Sequence, residues 1–379
     1  MLEFTNNQKM KLFLINIYFC CSILLALNCY SQDANLLIGT YTQKGSKGVY
    51  VYHFDTATGK AIELSHTNNI SNPSFLAITK DKQNVYAVNE DIEGEVTSFS
   101  FKNNTLKLLQ QIPSKGAHPC YITISPDQKN VFVANYTGGN IAQFYRFADG
   151  RLSTVRQLIQ HEGSGLNKER QEKAHVHGTF FNPKGDYLFT PDLGMDQITA
   201  YPYKAVANPV LQADKAIVLN STPGAGPRHI SFSKNGKLVY AVEELTGTVT
   251  VFQYEKGKVK PLQTIATHPD DFKGQPGSAD IHLSPDGKYL YVSNRGSENN
   301  ITKLEVLENG LLNNKSIHYF STKGSKPRNF TISNDGKWLL VANQDTDNIV
   351  VFKIDPTTGD LKDSGNQIKV SMPVCLVLF

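Results

Sequence analysis

One pattern, repeated six times at intervals near fifty residues, governs what this chain can become. Each copy is a short polar turn followed by an apolar alternation that ends on or near Asn. Ser284-Pro-Asp-Gly-Lys-Tyr-Leu-Tyr-Val-Ser-Asn294 and Ser333-Asn-Asp-Gly-Lys-Trp-Leu-Leu-Val-Ala-Asn343 show it most plainly, and residues 79–89, 125–135, 182–192 and 233–243 repeat it. Between the turn positions Asp81, Asp127, Lys184, Asn235, Asp286 and Asp335 the intervals are 46, 57, 51, 51 and 49 residues. A period of that length in β-forming residues means a propeller or a β-solenoid.

Each unit divides into four strands. An apolar strand such as residues 122–124 meets an Asp-Gly-type turn, whose left-handed positions Gly and Asn tolerate. A second strand follows, as in residues 289–293, then a polar loop and a third strand, Thr248-Val-Thr-Val-Phe252 for example. A short fourth strand, such as residues 262–266, completes the unit. Four antiparallel strands make a propeller blade rather than a solenoid coil. A seventh copy, Leu36-Leu-Ile-Gly-Thr-Tyr-Thr42, has no strand before it. Its counterpart lies at the other end, where Met372-Pro-Val-Cys-Leu-Val-Leu-Phe379 matches the openings at Asn72-Pro73, His118-Pro119 and Lys326-Pro327. The expected fold is therefore an all-β, seven-bladed propeller with four antiparallel strands per blade. The C-terminal strand pairs into the first blade, which leaves no open sheet edge at the ring seam. One domain is expected, over residues 33–379.

The first thirty residues read differently. Lys9 and Lys11 precede an apolar run over residues 12–27, broken only by Asn16 and Ser22. That run is short for a membrane span and right for a signal-peptide core. Residues 1–32 are expected to be a signal peptide, cut near Ser31 or Gln32, with the mature chain exported to the periplasm. Cys29 raises a lipoprotein alternative, which the preceding Leu27-Asn28 fits poorly, and an uncleaved anchor is the third reading. No later stretch is apolar for long enough to cross a bilayer, so no membrane contact is expected after removal. Three of the five cysteines belong to the leader region; Cys120 and Cys375 remain, with neither a disulfide framework nor a CxxC metal motif. Both read as buried small hydrophobes. A net charge of +4, with no Lys/Arg stripe interleaved with aromatics, gives no case for nucleic acid as a partner.

Propellers bind ligands at one end of the central channel, beside the innermost strands. Polar residues recurring at blade-equivalent places there are the candidates. The start of the first strand carries His118, His175, His177, Arg228, His229, His282 and Arg328. The exit of the second carries Asn89 and Glu90, Asn135 and Tyr136, Asp192, Glu243 and Glu244, Asn294 and Arg295, Asn343 and Gln344. The Asn residues equally suit turns, and Arg–Glu pairs can also hold blades together. Arg228, Arg295 and Arg328 offer fixed, charged forks for a carboxylate, a phosphate or a developing oxyanion. His177 or Glu244 can serve as general base toward water. Neither a Gly-x-Ser-x-Gly elbow nor a Cys–His nucleophile arrangement is visible, which disfavours an acyl-enzyme. His175 and His177, with His282 and Asp192, are the set to weigh for a metal; no metal or cofactor is expected.

The stretch Gly163-Ser-Gly-Leu-Asn-Lys-Glu-Arg-Gln-Glu-Lys-Ala-His-Val-His177, followed by Thr190-Pro-Asp-Leu-Gly194, resembles the seven-bladed lactonase propellers. That family includes bacterial 6-phosphogluconolactonase and the fungal carboxymuconate-lactonizing cyclase. Gly226-Pro-Arg-His229, Val242-Glu-Glu-Leu245, Ser278-Ala-Asp-Ile-His282, Ser293-Asn-Arg-Gly296 and Lys326-Pro-Arg-Asn-Phe330 extend the resemblance over nearly the whole chain. It implies activity on small carboxylated or phosphorylated lactones without a metal. It places the family's active-site His on His177, its arginines on Arg228 and Arg295, and its glutamate on Glu244. Where the family has Asn before that Glu, this chain has Glu243, a second carboxylate able to raise its neighbour's pKa or weaken anion binding. His175, His229, His282, Arg328, Asn135, Asp192 and Asn343 are expected to contact substrate, and the polar loop of residues 161–174 to overhang it. The expected reaction is hydrolysis of a sugar-acid lactone; export makes an unphosphorylated lactone a candidate beside the phosphorylated one. The alternatives are a carboxymuconate-type cycloisomerase and a non-catalytic sugar-binding or scaffold propeller. The expected partner is a small-molecule lactone, and the expected state a monomer or weak homodimer.

Overall fold

In the computed structural model, residues 34–255 and 257–379 are described; the expected signal peptide, with Cys29, lies outside them. The polar turns fold as their residues require. Ser284 Oγ donates to Asp286 Oδ1 (2.6 Å) and accepts from Tyr289 N (3.0 Å), while Asp286 Oδ1 also accepts from Lys288 N (3.1 Å). Gly287 takes φ 82°, a left-handed conformation that costs glycine little. Ser333 and Asp335 repeat the arrangement (2.6 Å). These turns bring each first and second strand into antiparallel register.

Among the described residues there are seven four-stranded sheets, arranged as blades. Six are built from consecutive strands. The seventh takes Pro373–Leu378 as the innermost strand beside Ala34–Thr40, with Leu36 opposite Leu378 and Ile38 opposite Leu376. The ring is closed as expected. A single 3₁₀ turn, Ala213–Lys215, is the one helical element among the described residues, and no helix there is long and apolar enough to cross a membrane.

The apolar face of each strand packs against the next blade, so the core is shared among the inter-blade seams. Each of the seven hydrophobic clusters found among the described residues joins two neighbouring blades. Buried tyrosines add polar ties across three seams. Tyr86, Tyr240 and Tyr291 donate to the carbonyls of Gly150 (2.9 Å), Gly310 (2.8 Å) and Gly359 (2.6 Å) in the following blade. At the closing seam Trp338 does this work, its indole N–H meeting Thr56 O at 2.7 Å and its ring lying edge-on to Phe54.

One backbone device positions everything that follows. In five blades the residue before the innermost strand is left-handed: Asn72, His118, Gly226, Lys326 and Met372 have φ between 40° and 66°. A proline comes next in each, which fixes φ and supplies no donor. The left-handed residue's carbonyl accepts the N–H of the residue just beyond the second strand. These pairs are Glu90 to Asn72, Tyr136 to His118, Glu244 to Gly226, Gln344 to Lys326 and Tyr41 to Met372; Leu193 to His175 and Arg295 to Gly277 complete the ring. A bulge follows at this point in five of the pairings. It turns the residue after the proline toward the same channel end as the N–H donor. In the blade that carries Tyr187–Asp192, which follows the longest interval, the innermost strand shrinks to Phe180–Phe181 with Val176 bridging Asp192.

Candidate active site

Seven such corners, five of them left-handed, deliver a ring of side chains to one mouth of the channel, and charge sorts them into two groups. The first is centred on Glu244. Its Oε2 lies 2.7 Å from Arg295 Nη2 and 3.1 Å from Arg228 Nε, and its Oε1 lies 2.6 Å from Arg170 Nη2. Burial alone would raise the pKa of this carboxyl. The guanidiniums of Arg295 and Arg228, with His177 and Arg170, outweigh it and hold the pKa well below the usual carboxylate range. Arg228 is itself only 2% exposed. Burial, together with the like charges of Arg295 and Arg328, lowers its pKa, and the Glu244 partner keeps the fork charged. Its Nη1 donates to Ala279 O at 2.5 Å.

The second group is Arg328, Glu90 and Tyr41. Arg328 sits over the Tyr41 ring at 5.4 Å, and its Nη2 lies 3.7 Å from Glu90 Oε1. Burial works against the Arg328 charge, but Tyr41, Glu90 and Glu244 together raise its pKa. Ser74 donates to Glu90 Oε2 at 2.5 Å. These two groups together set four guanidiniums against two carboxylates, an excess of two positive charges within the pairs.

His177 stands between these groups and is not clamped. Its backbone N–H bonds Pro191 O (2.9 Å). Its ring is edge-on to Tyr136 and His229, at 5.2 and 5.6 Å between centroids. Burial, then the charges of Arg228 and His229, hold the imidazole pKa well below its ordinary value, so the ring is neutral near pH 7. Its Nδ1 lies 3.7 Å from Cys120 Sγ, the one side-chain polar contact of this ring among the described residues. This Cys–His proximity was not expected from the sequence. Burial pushes the Cys120 thiol far above its ordinary pKa, with Glu90 adding to it, so the sulfur stays protonated. As expected, Cys120 and Cys375 are buried and free.

The loop of residues 161–174 does reach over the mouth, because Arg170 extends from it to Glu244 in the next blade. His175 closes the loop: its ring stacks on Tyr136 at 4.4 Å, and its Nε2 lies 3.1 Å from Glu172.

Other expected contact residues lie elsewhere. Asn135, Asp192 and Asn343 are fully buried at the last position of their second strands. Asn135 bonds Asn140 (2.7 Å), and Asn343 donates to Thr322 O (3.0 Å). Asp192 accepts from the backbone of His175 (2.8 Å) and Gly194 (3.0 Å) and from His161 Nδ1 (2.8 Å). Side chains alternate along a strand, so these three face into the blade and brace its corner, while Tyr136, next after Asn135, turns the other way, toward His175 and His177. Glu243 follows the same rule. It accepts from Thr248 inside the blade, burial raises its pKa, and it leaves the Glu244 carboxyl lowered rather than raised. His229 and His282 both bond Asp280 in the middle of the channel, His282 with its side chain 41% exposed. His175, His177, His282 and Asp192 do not converge, and among the described residues no group of three or more His, Cys, Asp and Glu could hold a metal ion.

Glu90 and Tyr136, strand-exit candidates that were not among the expected catalytic or contact residues, join the mouth together with Tyr41, Cys120 and Arg170. Glu90 and Tyr136 carried a signal, since each directly follows the recurrent Asn. Chemically, the mouth can hold an anion against its guanidiniums and offer a neutral imidazole to a proton.

The comparisons agree with this architecture. The family model described as "Lactonase, 7-bladed beta-propeller" matches residues 35–378. A 6-phosphogluconolactonase of Formosa agariphila is 35% identical, over 91% of this chain and 99% of that protein. The 6-phosphogluconolactonase of Bacillus subtilis is 32% identical, over 89% and 96%. Among solved structures, a periplasmic gluconolactonase of Pseudomonas aeruginosa superposes with a TM-score of 0.86 at 36% identity, covering 92% of this chain and 99% of that one.

Proposed function

The chain belongs to the seven-bladed β-propeller lactonase family, and from that membership we propose that it hydrolyses a sugar-acid lactone bearing an anionic group. One observation carries the reading: a neutral, unclamped imidazole beside a guanidinium set with two positive charges in excess. A carboxylate or phosphate would complete that charge balance, and a neutral ligand would leave it open. The two relatives named as 6-phosphogluconolactonases support a phosphorylated substrate.

His177 is the better general base. Glu244 has both oxygens engaged by guanidiniums and a depressed pKa, which makes it a weak proton acceptor. In the proposed reaction a water oxygen attacks the lactone carbonyl carbon while His177 takes its proton. Arg228 and Arg295 stabilise the tetrahedral oxyanion and anchor the anionic group. The ring C–O bond then breaks, and the leaving alkoxide takes the proton from the imidazolium. The product is the open hydroxy acid, whose carboxyl releases one proton to solvent. No step needs a metal or cofactor. Arg328, with Glu90 and Tyr41, lines the opposite side of the substrate.

Proton release from 6-phosphoglucono-δ-lactone, glucono-δ-lactone and a muconolactone, followed beside muconate absorbance, tests the reading. Faster turnover of the phosphorylated lactone is expected. Activity on the neutral lactone alone would overturn the anionic-substrate claim, and a muconate signal alone would replace hydrolysis with cycloisomerisation. The leader supports export, so fractionation of cells should recover a shortened chain outside the cytoplasm; a full-length cytoplasmic chain would refute that part.

A further inference from the structure

Below the mouth lies a buried network that takes in two of the expected contact residues, His229 and His282. Asp280, 3% exposed, holds its Oδ1 2.8 Å from His229 Nδ1 and its Oδ2 2.9 Å from His282 Nε2. Asn329 Nδ2 (2.5 Å), Ile281 N (3.0 Å) and Phe330 N (3.3 Å) donate to the same carboxylate. On its other side, His229 Nε2 lies 3.2 Å from Arg228 Nη1. A guanidinium only donates, so His229 Nε2 must accept, and the ring's single proton lies on Nδ1, facing Asp280. Phe75, Tyr121 and Phe180 surround the imidazole and fix its plane.

We infer that Asp280, acting through the tautomer of His229, positions the Arg228 guanidinium for the reaction. The inference rests on the role proposed above for Arg228. Asp280 and His229 are positioning residues; neither reaches the mouth. The chain of bonds is not a proton path, because its upper end is capped by a group that cannot give up its proton. It acts instead as a strut. Glu244 and Ala279 O hold Arg228 from one side, and His229 holds it from below. Near pH 7 the strut keeps this tautomer. Burial and the charge of Arg228 lower the His229 pKa to about 4, so Nε2 keeps its lone pair. Burial opposes the Asp280 charge, but His282 and His229, with their hydrogen bonds, hold its pKa well below the ordinary carboxyl value.

Two substitutions at His229 separate positioning from simple packing. His229→Asn keeps a donor where Nδ1 lies, facing Asp280, and leaves nothing to reach Arg228. His229→Gln puts an amide oxygen near the Nε2 position, facing Arg228, and gives up the Asp280 bond. A misplacement of about 1 Å costs ~10²-fold in rate. H229N is therefore expected to lose about a hundredfold in kcat/KM with little change in Tm, and H229Q to stay within about tenfold of wild type. The phosphate-induced rise in Tm, measured with inorganic phosphate, should shrink in H229N and persist in H229Q. The reverse order, with H229N the more active, would overturn the inference. Asp280→Asn should behave as H229N does, because its amide group favours the other imidazole tautomer and sets two donors face to face at Arg228. Arg228→Met separates the two claims. If R228M loses turnover while H229N matches wild type, the strut fails and the active-site reading stands. If R228M keeps full turnover, the reading of Arg228 itself fails.

Discussion

Replacing Glu244 by Gln removes one charge and almost no volume, which makes it a direct probe of how the mouth is held together. Arg228 and Glu244 are 3% and 7% exposed at their side chains, so their pairing is largely desolvated. Removing one partner of a buried pair costs about 3–5 kcal/mol, because the other charge stays buried. Gln keeps one acceptor oxygen, which favours the lower end, about 3 kcal/mol or roughly a 150-fold loss in the folding equilibrium. The pH dependence has a definite sign. The folded pKa of Glu244 lies below its unfolded value of about 4.3, so its stabilisation is complete above that value and is lost as pH falls through the folded pKa. The E244Q deficit should therefore be constant from pH 7 to about pH 5 and shrink in stronger acid. Inorganic phosphate, which can replace the missing negative charge, should stabilise E244Q more than wild type. Urea unfolding at pH 7 and pH 4, with and without phosphate, measures both effects. A deficit under about 1 kcal/mol at pH 7, or equal phosphate stabilisation of both proteins, would refute the reasoning. Turnover adds a separate test: with His177 as base, E244Q should keep some activity, whereas a Glu244 base would lose about 10²–10⁴-fold.

His177→Gln is expected to lower kcat by about 10²–10⁴-fold without unfolding the chain, checked by turnover and near-UV circular dichroism. Because the His177 pKa is depressed, the acid limb of kcat/KM in the wild type should fall below the usual imidazole range, and Arg228→Met should move it to higher pH. Arg170 is 43% exposed at its side chain, so Arg170→Ala should raise KM about tenfold with little change in kcat, and added salt should narrow the difference. Trp338 is the only tryptophan and spans the closing seam, so its fluorescence should report ring opening directly. Trp338→Phe should cost about 1–3 kcal/mol through the lost bond to Thr56, measured by urea unfolding against circular dichroism.

The period of the repeat carried the fold because each blade is a local, consecutive structure whose turns are written in Ser, Asp and Gly. Even the ring seam was legible, since residues 372–379 share the X-Pro opening of other blades. The mouth was only half legible. The sequence shows pairs of adjacent polar residues at most strand exits, and in a strand two neighbours face opposite ways. Asn135, Asp192 and Asn343 face the blade, while Tyr136, Glu244 and Arg295 face the channel; composition alone does not decide between them. The type and apolar neighbours of Cys120 suit the buried small hydrophobe it is, and only the bulge after Pro119 turns it toward His177. Arg170 and Glu244 meet across 74 residues of sequence, a distance no local pattern encodes.

The corner carbonyl that accepts an N–H in every blade asks nothing of the side chain on either partner. Tyr, Glu, Leu, Arg and Gln all occupy the donor position, and Ser, Cys, Arg and Val follow the prolines, on the same backbone. The mouth thus behaves as a set of interchangeable sockets whose occupants can be swapped without redrawing the frame. Exchanging Arg328 and Arg170 for neutral residues would leave two guanidiniums against two carboxylates, a route to retargeting the protein toward uncharged cyclic esters.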